Sequence, residues 1–263
     1  MCDCGLHRRR FLLGAAGLAG TTLLAGCGAP GDGMSFLSAD EERQMGQQGW
    51  AEVMAQETVS TDRKRTAAVK RVAARIVSAS GGNPAEWEFV LFRNPEVNAF
   101  ALPSNKVGVY EGLFTVASTD GQLAAILGHE VSHVYLQHSA RRANRTIATG
   151  LGLQILSAGL QMGGVESAGA INDLATQGAQ YGFLLPFSRD QESEADAKGV
   201  MIMARAGYDP NEAVAFWRAS AAASKGNRPP AFASTHPTDE ARIEALQALM
   251  PEAMEVYRSS QKA

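Results

Sequence analysis

The chain has 263 residues, 45% of them hydrophobic, with a formal charge of −3 and a mean hydropathy of −0.13. That length suits one folded domain, and an acidic balance without a basic stripe argues against a nucleic-acid partner. Of three cysteines, Cys2 and Cys4 precede an apolar leader, so no framework of internal disulfides is expected.

Residues 1–26 read as an export signal. Arg8-Arg9-Arg10 is its basic opening, Phe11 to Leu24 an apolar run too short for a membrane span, and Leu24-Ala25-Gly26 a small-residue cut site. Cys27, directly after Leu-Ala-Gly, resembles the lipid-modified cysteine of a bacterial lipobox. Arg8-Arg9-Arg10-Phe11-Leu12 suits either a twin-arginine or a general secretory signal. Removal of the leader takes three arginines and one aspartate, moves the formal charge from −3 to −5, and leaves Cys27 as the sole cysteine. Residues 27–38 then form a lipid-anchored tether whose Gly-rich part spans at most ~30 Å, and 39–263 form one folded body.

Ala39 to Glu57 and Asp62 to Ser78 read as helices; in the second, Val69, Val72 and Ile76 recur at helical spacing. Glu86 to Arg93 alternates in the manner of a strand, with Trp87, Phe89 and Leu91 on one side. Two further strands follow, Ala99 to Leu102 and Lys106 to Tyr110, joined by a turn at Pro103-Ser104-Asn105. Thr119-Asp120-Gly121-Gln122 is a capping box that opens a helix with Leu123, Ile126, Leu127 and Val134 as its apolar stripe. Thr146 to Met162 is apolar but glycine-rich, and helical packing is the expectation there rather than membrane insertion. Ser188-Arg189-Asp190-Gln191 is another capping box, opening a helix that ends near Gly207, and Asp209-Pro210 starts the next. A final helical pair covers Pro237 to Leu249 and Pro251 to Ser259. The expected class is α+β, predominantly α-helical, with a small antiparallel-type sheet.

Two turns into the third helix lies His129-Glu130-Val131-Ser132-His133, an HExxH element. Residues four apart share one helix face, so both imidazoles can reach one metal ion, and Glu130 flanks it as a general base toward water. Three of the four histidines after the leader, His129, His133 and His138, fall in this helical run; the fourth is His236. A catalytic zinc needs a third protein ligand. His138 lies five residues from His133, off the shared face, and Leu136 stands where a metzincin has glycine, so His138 reads as a polar neighbour. In the helix after Ser188, Glu192 and Asp196 are four apart on one face. One of these carboxylates would bind the metal, and the other would accept the N–H of a ligating imidazole. The site then lies between two helices.

HExxH, followed by Ser-Arg-x-x-Glu-x-Glu-Ala-Asp-x-x-Gly (188–199) and by Ser-Thr-His-Pro (234–237) with Arg242 beyond, resembles the HtpX-like gluzincin metallopeptidases. The nearest match is to their compact periplasmic LoiP- and BepA-like lipoprotein members. The resemblance runs from about Glu42 to Leu249. It implies a zincin-like fold, one Zn2+ per chain held by His129, His133 and Glu192, Glu130 as catalytic base, and Asp196 as partner of a ligating histidine. It further implies that His236 and Arg242 lie over the site as oxyanion donors, with His236 able to close the open metal position. Asn98, Ala99, Phe100 and Ala101 would form an edge strand that binds peptide by strand addition. The activity implied is endopeptidase cleavage of misfolded or misassembled envelope proteins, at the periplasmic face of the outer membrane and tethered through the lipid on Cys27. A chaperone-like binder with a self-inhibited zinc site is the alternative.

Overall fold

Ser38 opens α1 (Ala39–Gln56): its side chain accepts from the Glu41 N–H, and the Glu41 carboxylate accepts from the Ser38 N–H at 2.7 Å. This reciprocal box satisfies two donors that a helix start leaves orphaned. The computed structural model describes residues 37–161, 187–223, 231–236 and 240–262. The expected leader, the tether up to residue 36 with Cys27, residues 162–186 and Pro237 lie outside the described residues.

Asp62 caps α2 (Arg63–Ala79) by accepting from the Arg65 N–H. Three strands follow, β1 (Glu88–Phe92), β2 (Ala99–Leu102) and β3 (Lys106–Tyr110), in the spatial order β1-β3-β2. The pairing is mixed. β3 runs antiparallel to β2 but parallel to β1, so the expected antiparallel type holds for one pair only. A short turn, with Ser104 and Asn105 at φ 66 and 61, can only fold β2 back on β3. Asn94-Pro95 instead breaks the chain after β1 and carries it across to the far side of the sheet, which leaves β3 to pair beside β1. β2 is therefore an edge.

Thr119 caps α3 (Asp120–Tyr135), accepting from the Gln122 N–H at 3.1 Å. The Gln122 amide oxygen accepts from the Ser118 N–H at 2.8 Å, one residue earlier than a strict capping box would have it. The single helical run expected through His138 is broken. α3 stops at Tyr135, Gln137 takes φ 52, and α4 (His138–Gln161) sets off anew. Among the described residues the remaining α-helices are α5 (Arg189–Arg205), α6 (Asn211–Ala223), α7 (Ala231–Thr235), α8 (Glu240–Ala248) and α9 (Met250–Ser260). Ser188 and Gln191 form the expected box at the start of α5, and Gly207 (φ 78) follows its end. Among the described residues, no helix is long and apolar enough to cross a membrane.

Val69, Val72 and Ile76 of α2 are buried as their spacing predicts, against α3 and β1. Leu91 faces the same core, whereas Phe92 on the other face of β1 packs with Trp50 of α1. α3 departs from the one-sided stripe expected of it: every residue from Leu123 to His133 is buried. It is wedged among α2, β2, α5 and α6, so its polar residues are surrounded too. Fully burying side chains such as Leu127 and Ile126 contributes about 1.5–3 kcal/mol each, which offsets the cost of enclosing the charged side chains of α3 and α5 beside them. The tightest approach is between α3 and α5 at Gly128 and Gly199. A Cβ on Gly199 would stand 2.9 Å from the backbone nitrogen of His129, so only glycine lets α5 come this near the turn that carries His129.

Candidate active site

α3 presents His129, Glu130 and His133, and α5 presents Glu192 and Asp196. His236 follows α7, and Arg242 lies in α8; all seven are buried. One ligand atom from each of His129, His133, Glu192 and His236 falls within 4.8 Å of the others. The Nε2 atoms of His129 and His133 are 2.9 Å apart, and His129 Nε2 lies 3.2 Å from His236 Nδ1. Glu192 Oε1 is 2.9 Å from His236 Nδ1 and 3.5 Å from His133 Nε2, while Glu192 Oε2 is 3.4 Å from His129 Nε2.

Donors about 2.0–2.1 Å from one tetrahedral zinc stand roughly 3.3 Å apart. The measured spacings straddle that value, so the residues fit such a centre. A second observation agrees. Both oxygens of Glu130 are buried without a hydrogen-bond partner, although His236 Nε2 lies 3.4 Å from Oε1. A native interior keeps an unmatched carboxylate only where something else answers it. Burial raises the Glu130 carboxyl above its ordinary range, partly opposed by the nearby imidazoles. Burial, and after it the charge of His129, push His133 well below the usual histidine value.

Asp196 Oδ1 accepts the His129 Nδ1–H at 2.9 Å, a contact that would fix this ring if it bound a metal. Arg242 joins the same cluster. Its guanidinium meets Glu192 Oε2 at 2.5 Å and both oxygens of Asp196, at 2.5 and 2.9 Å, and lies 3.8 Å over the Trp217 ring. In this arrangement it clamps the buried carboxylates Glu192 and Asp196 of α5. The reason is one of charge: two buried carboxylates four residues apart need a cation between them, and the planar fork of arginine can bond both. Trp217 and Phe232 complete an aromatic wall, Phe232 stacking on His236 with centroids 4.6 Å apart. Neither ring belongs to a motif that spacing could reveal.

His138 Nδ1 sits 2.8 Å from His133 Nδ1, the nitrogen turned away from the metal donors, so it is a neighbour and not a ligand. The strand Asn98 to Ala101 does lie at the sheet's edge beside α3. Just before it, the Val97 carbonyl accepts from the Phe232 N–H at 3.1 Å, so α7 covers one end of that edge. A groove of about 570 Å³, lined by Ala101, Leu102, Lys106, His133, Glu42 and Arg43, runs along its other end.

A helix-borne HExxH pair joined by Glu192 from a second helix, with Asp196 behind it, defines a metallopeptidase of the gluzincin type. The chain belongs to peptidase family M48, whose sequence model matches residues 63–250. This is the family that the three motifs resemble. The chain is 37% identical over 221 residues to the mitochondrial metalloendopeptidase OMA1 of Schizosaccharomyces pombe, an overlap of 82% of this chain and 63% of that protein. It is 30% identical over 217 residues to the beta-barrel assembly-enhancing protease of Escherichia coli K12, covering 80% of this chain and 44% of the other. The Arabidopsis thaliana OMA1 is 34% identical over 177 residues, 66% of this chain and 34% of its own length. The chain thus spans less than two thirds of each of these relatives. Peptidases of this family depend on zinc, and His129, His133 and Glu192 are the residues here that fit it.

Proposed function

We propose that the protein is a zinc endopeptidase of the bacterial cell envelope, held by lipid on Cys27 at the periplasmic face of the outer membrane. Its substrates are misfolded or misassembled envelope polypeptides. The observation that carries the chemistry is the convergence of His129, His133 and Glu192 beside a Glu130 carboxylate with no hydrogen-bond partner. The location rests on the leader and the Leu-Ala-Gly-Cys27 sequence, and on kinship with a relative named for β-barrel assembly. Replacing Cys27 by serine is expected to move the protein from the membrane fraction to the soluble one; an unchanged membrane share counts against the lipid anchor.

Zinc at this site supplies Lewis acidity toward water and a scissile carbonyl. Glu130 takes a proton from the attacking water and delivers it to the leaving amide nitrogen. Asp196 holds the His129 ring by its Nδ1–H, and Arg242 holds Asp196 and Glu192 in place. A substrate strand pairs with the free edge of β2 between Asn98 and Ala101 and lays its scissile bond toward α3.

His236 favours a second reading. Its Nδ1 lies 3.2 Å from His129 Nε2 and 2.9 Å from Glu192 Oε1, where it would fill the position that a catalytic zinc centre keeps open. The resting protein is then self-inhibited, and polypeptide binding without turnover becomes the alternative function. His236→Ala is expected to speed casein cleavage several-fold by clearing that position. A 10²–10³-fold fall would instead assign His236 to oxyanion stabilisation. Absence of cleavage by both the wild type and the variant, each loaded with zinc, would sink the endopeptidase reading.

A further inference from the structure

His138 belongs to none of the roles above, yet its ring is wholly buried and both of its nitrogens are engaged. Nδ1 is 2.8 Å from His133 Nδ1, and Nε2 is 3.2 Å from Glu194 Oε2. The same Glu194 oxygen accepts from Arg141 Nη1 at 2.8 Å. A carboxylate is acceptor-only, so the hydrogen of His138 sits on Nε2 and its Nδ1 is bare. That bare nitrogen can only accept, so His133 carries its hydrogen on Nδ1. The Nε2 of His133, facing His129 and Glu192, is thereby left with its lone pair free.

We infer that His138 and Glu194 are positioning residues for the metal ligand His133, forming a carboxylate–imidazole–imidazole chain that fixes its tautomer and ring orientation. The inference rests on the zinc reading of the site. It gives His133 a counterpart to the Asp196 that serves His129. The two arrangements differ because the ligands share a face of α3 but sit one turn apart along it. His129 faces α5, where Asp196 reaches it directly. His133 lies in the last turn, where the left-handed Gln137 reverses the chain and brings His138 back against it. The loop is tied down from α5 by Gln191, whose side-chain N–H donates to the His138 carbonyl at 3.1 Å. Glu194, about two-fifths exposed, connects the chain to the surface and is steadied there by Arg141.

The test is zinc affinity of the full chain by chelator competition, with urea unfolding of the zinc-free protein alongside. His138→Leu fills the space without an acceptor and is expected to weaken zinc binding about 10–100-fold. His138→Asn places its Oδ1 where Nδ1 was and is expected to stay within about threefold of wild type. Glu194→Gln, at a partly exposed position that leaves packing untouched, is expected to weaken binding about three- to tenfold. If His138 serves packing alone, His138→Leu keeps wild-type affinity and His138→Asn loses it, which overturns the inference. Should His138→Leu fail to fold, unchanged affinity in Glu194→Gln overturns it by itself. A wild-type protein that binds no zinc would be a different failure, that of the metal site as a whole.

Discussion

Glu130→Gln is expected to retain one zinc per chain and to lose proteolysis by at least about 10²–10⁴-fold, the usual share of a positioned acid–base group. Glutamine fills the same space beside the His236 Nε2 but can neither take nor return a proton. Because Glu130 is not one of the four convergent donors, zinc content measured after dialysis should match that of the wild type. Casein cleavage at the wild-type rate would refute Glu130 as the base. The same variant separates the two functions in cells. A binder would still lower the burden of misassembled envelope protein with Glu130 replaced, and a protease would not.

Arg242→Met carries the largest expected effect on folding. The guanidinium is the cation that answers both Glu192 and Asp196, and all three groups are buried. Burial alone would push the Asp196 carboxyl up, yet Arg242 and the hydrogen bond from His129 hold it below its ordinary range. Removing one partner of such a network leaves uncompensated buried charge, at a cost of about 3–5 kcal/mol. The stacking of Arg242 on Trp217 is lost with it. Urea unfolding in the presence of a chelator should show this loss, and saturating zinc should recover part of it, since the metal supplies Glu192 with another cation. A loss below about 1 kcal/mol without zinc would mean that Arg242 does not hold the carboxylates together. Pairing Arg242→Met with Asp196→Asn in a double-mutant cycle would then measure their coupling directly.

Much of this site is legible in the amino-acid sequence. The spacing of His129 and His133 puts two imidazoles on one helix face wherever that helix packs, because helix geometry is local. The same holds for Glu192 and Asp196, and the box at Ser188 and the cap at Thr119 place both helices within a residue or two. Strand identities are legible as well, since alternation and turn chemistry act over a few residues. The parallel pairing of β1 with β3 does not follow from the pattern, because an alternating strand looks the same in either direction.

What the chain determines by itself is thus the set of chemical groups and the helix faces that carry them. Tertiary structure alone decides which group answers which. Arg242 comes from 46 residues beyond Asp196 to clamp it, and no periodicity links the two. His236 comes within reach of the other three candidate donors because the α7 Phe232 N–H bonds the Val97 carbonyl and the Phe232 ring stacks on the imidazole. His138, at five residues from His133, is off the shared helix face by spacing, and only the left-handed Gln137 turns it inward. The physical reason is common to all three. Burial removes water as an alternative partner, so each charge and each imidazole must be satisfied by whatever the fold brings within about 3 Å. That choice depends on packing across the whole domain and leaves no local trace in the sequence.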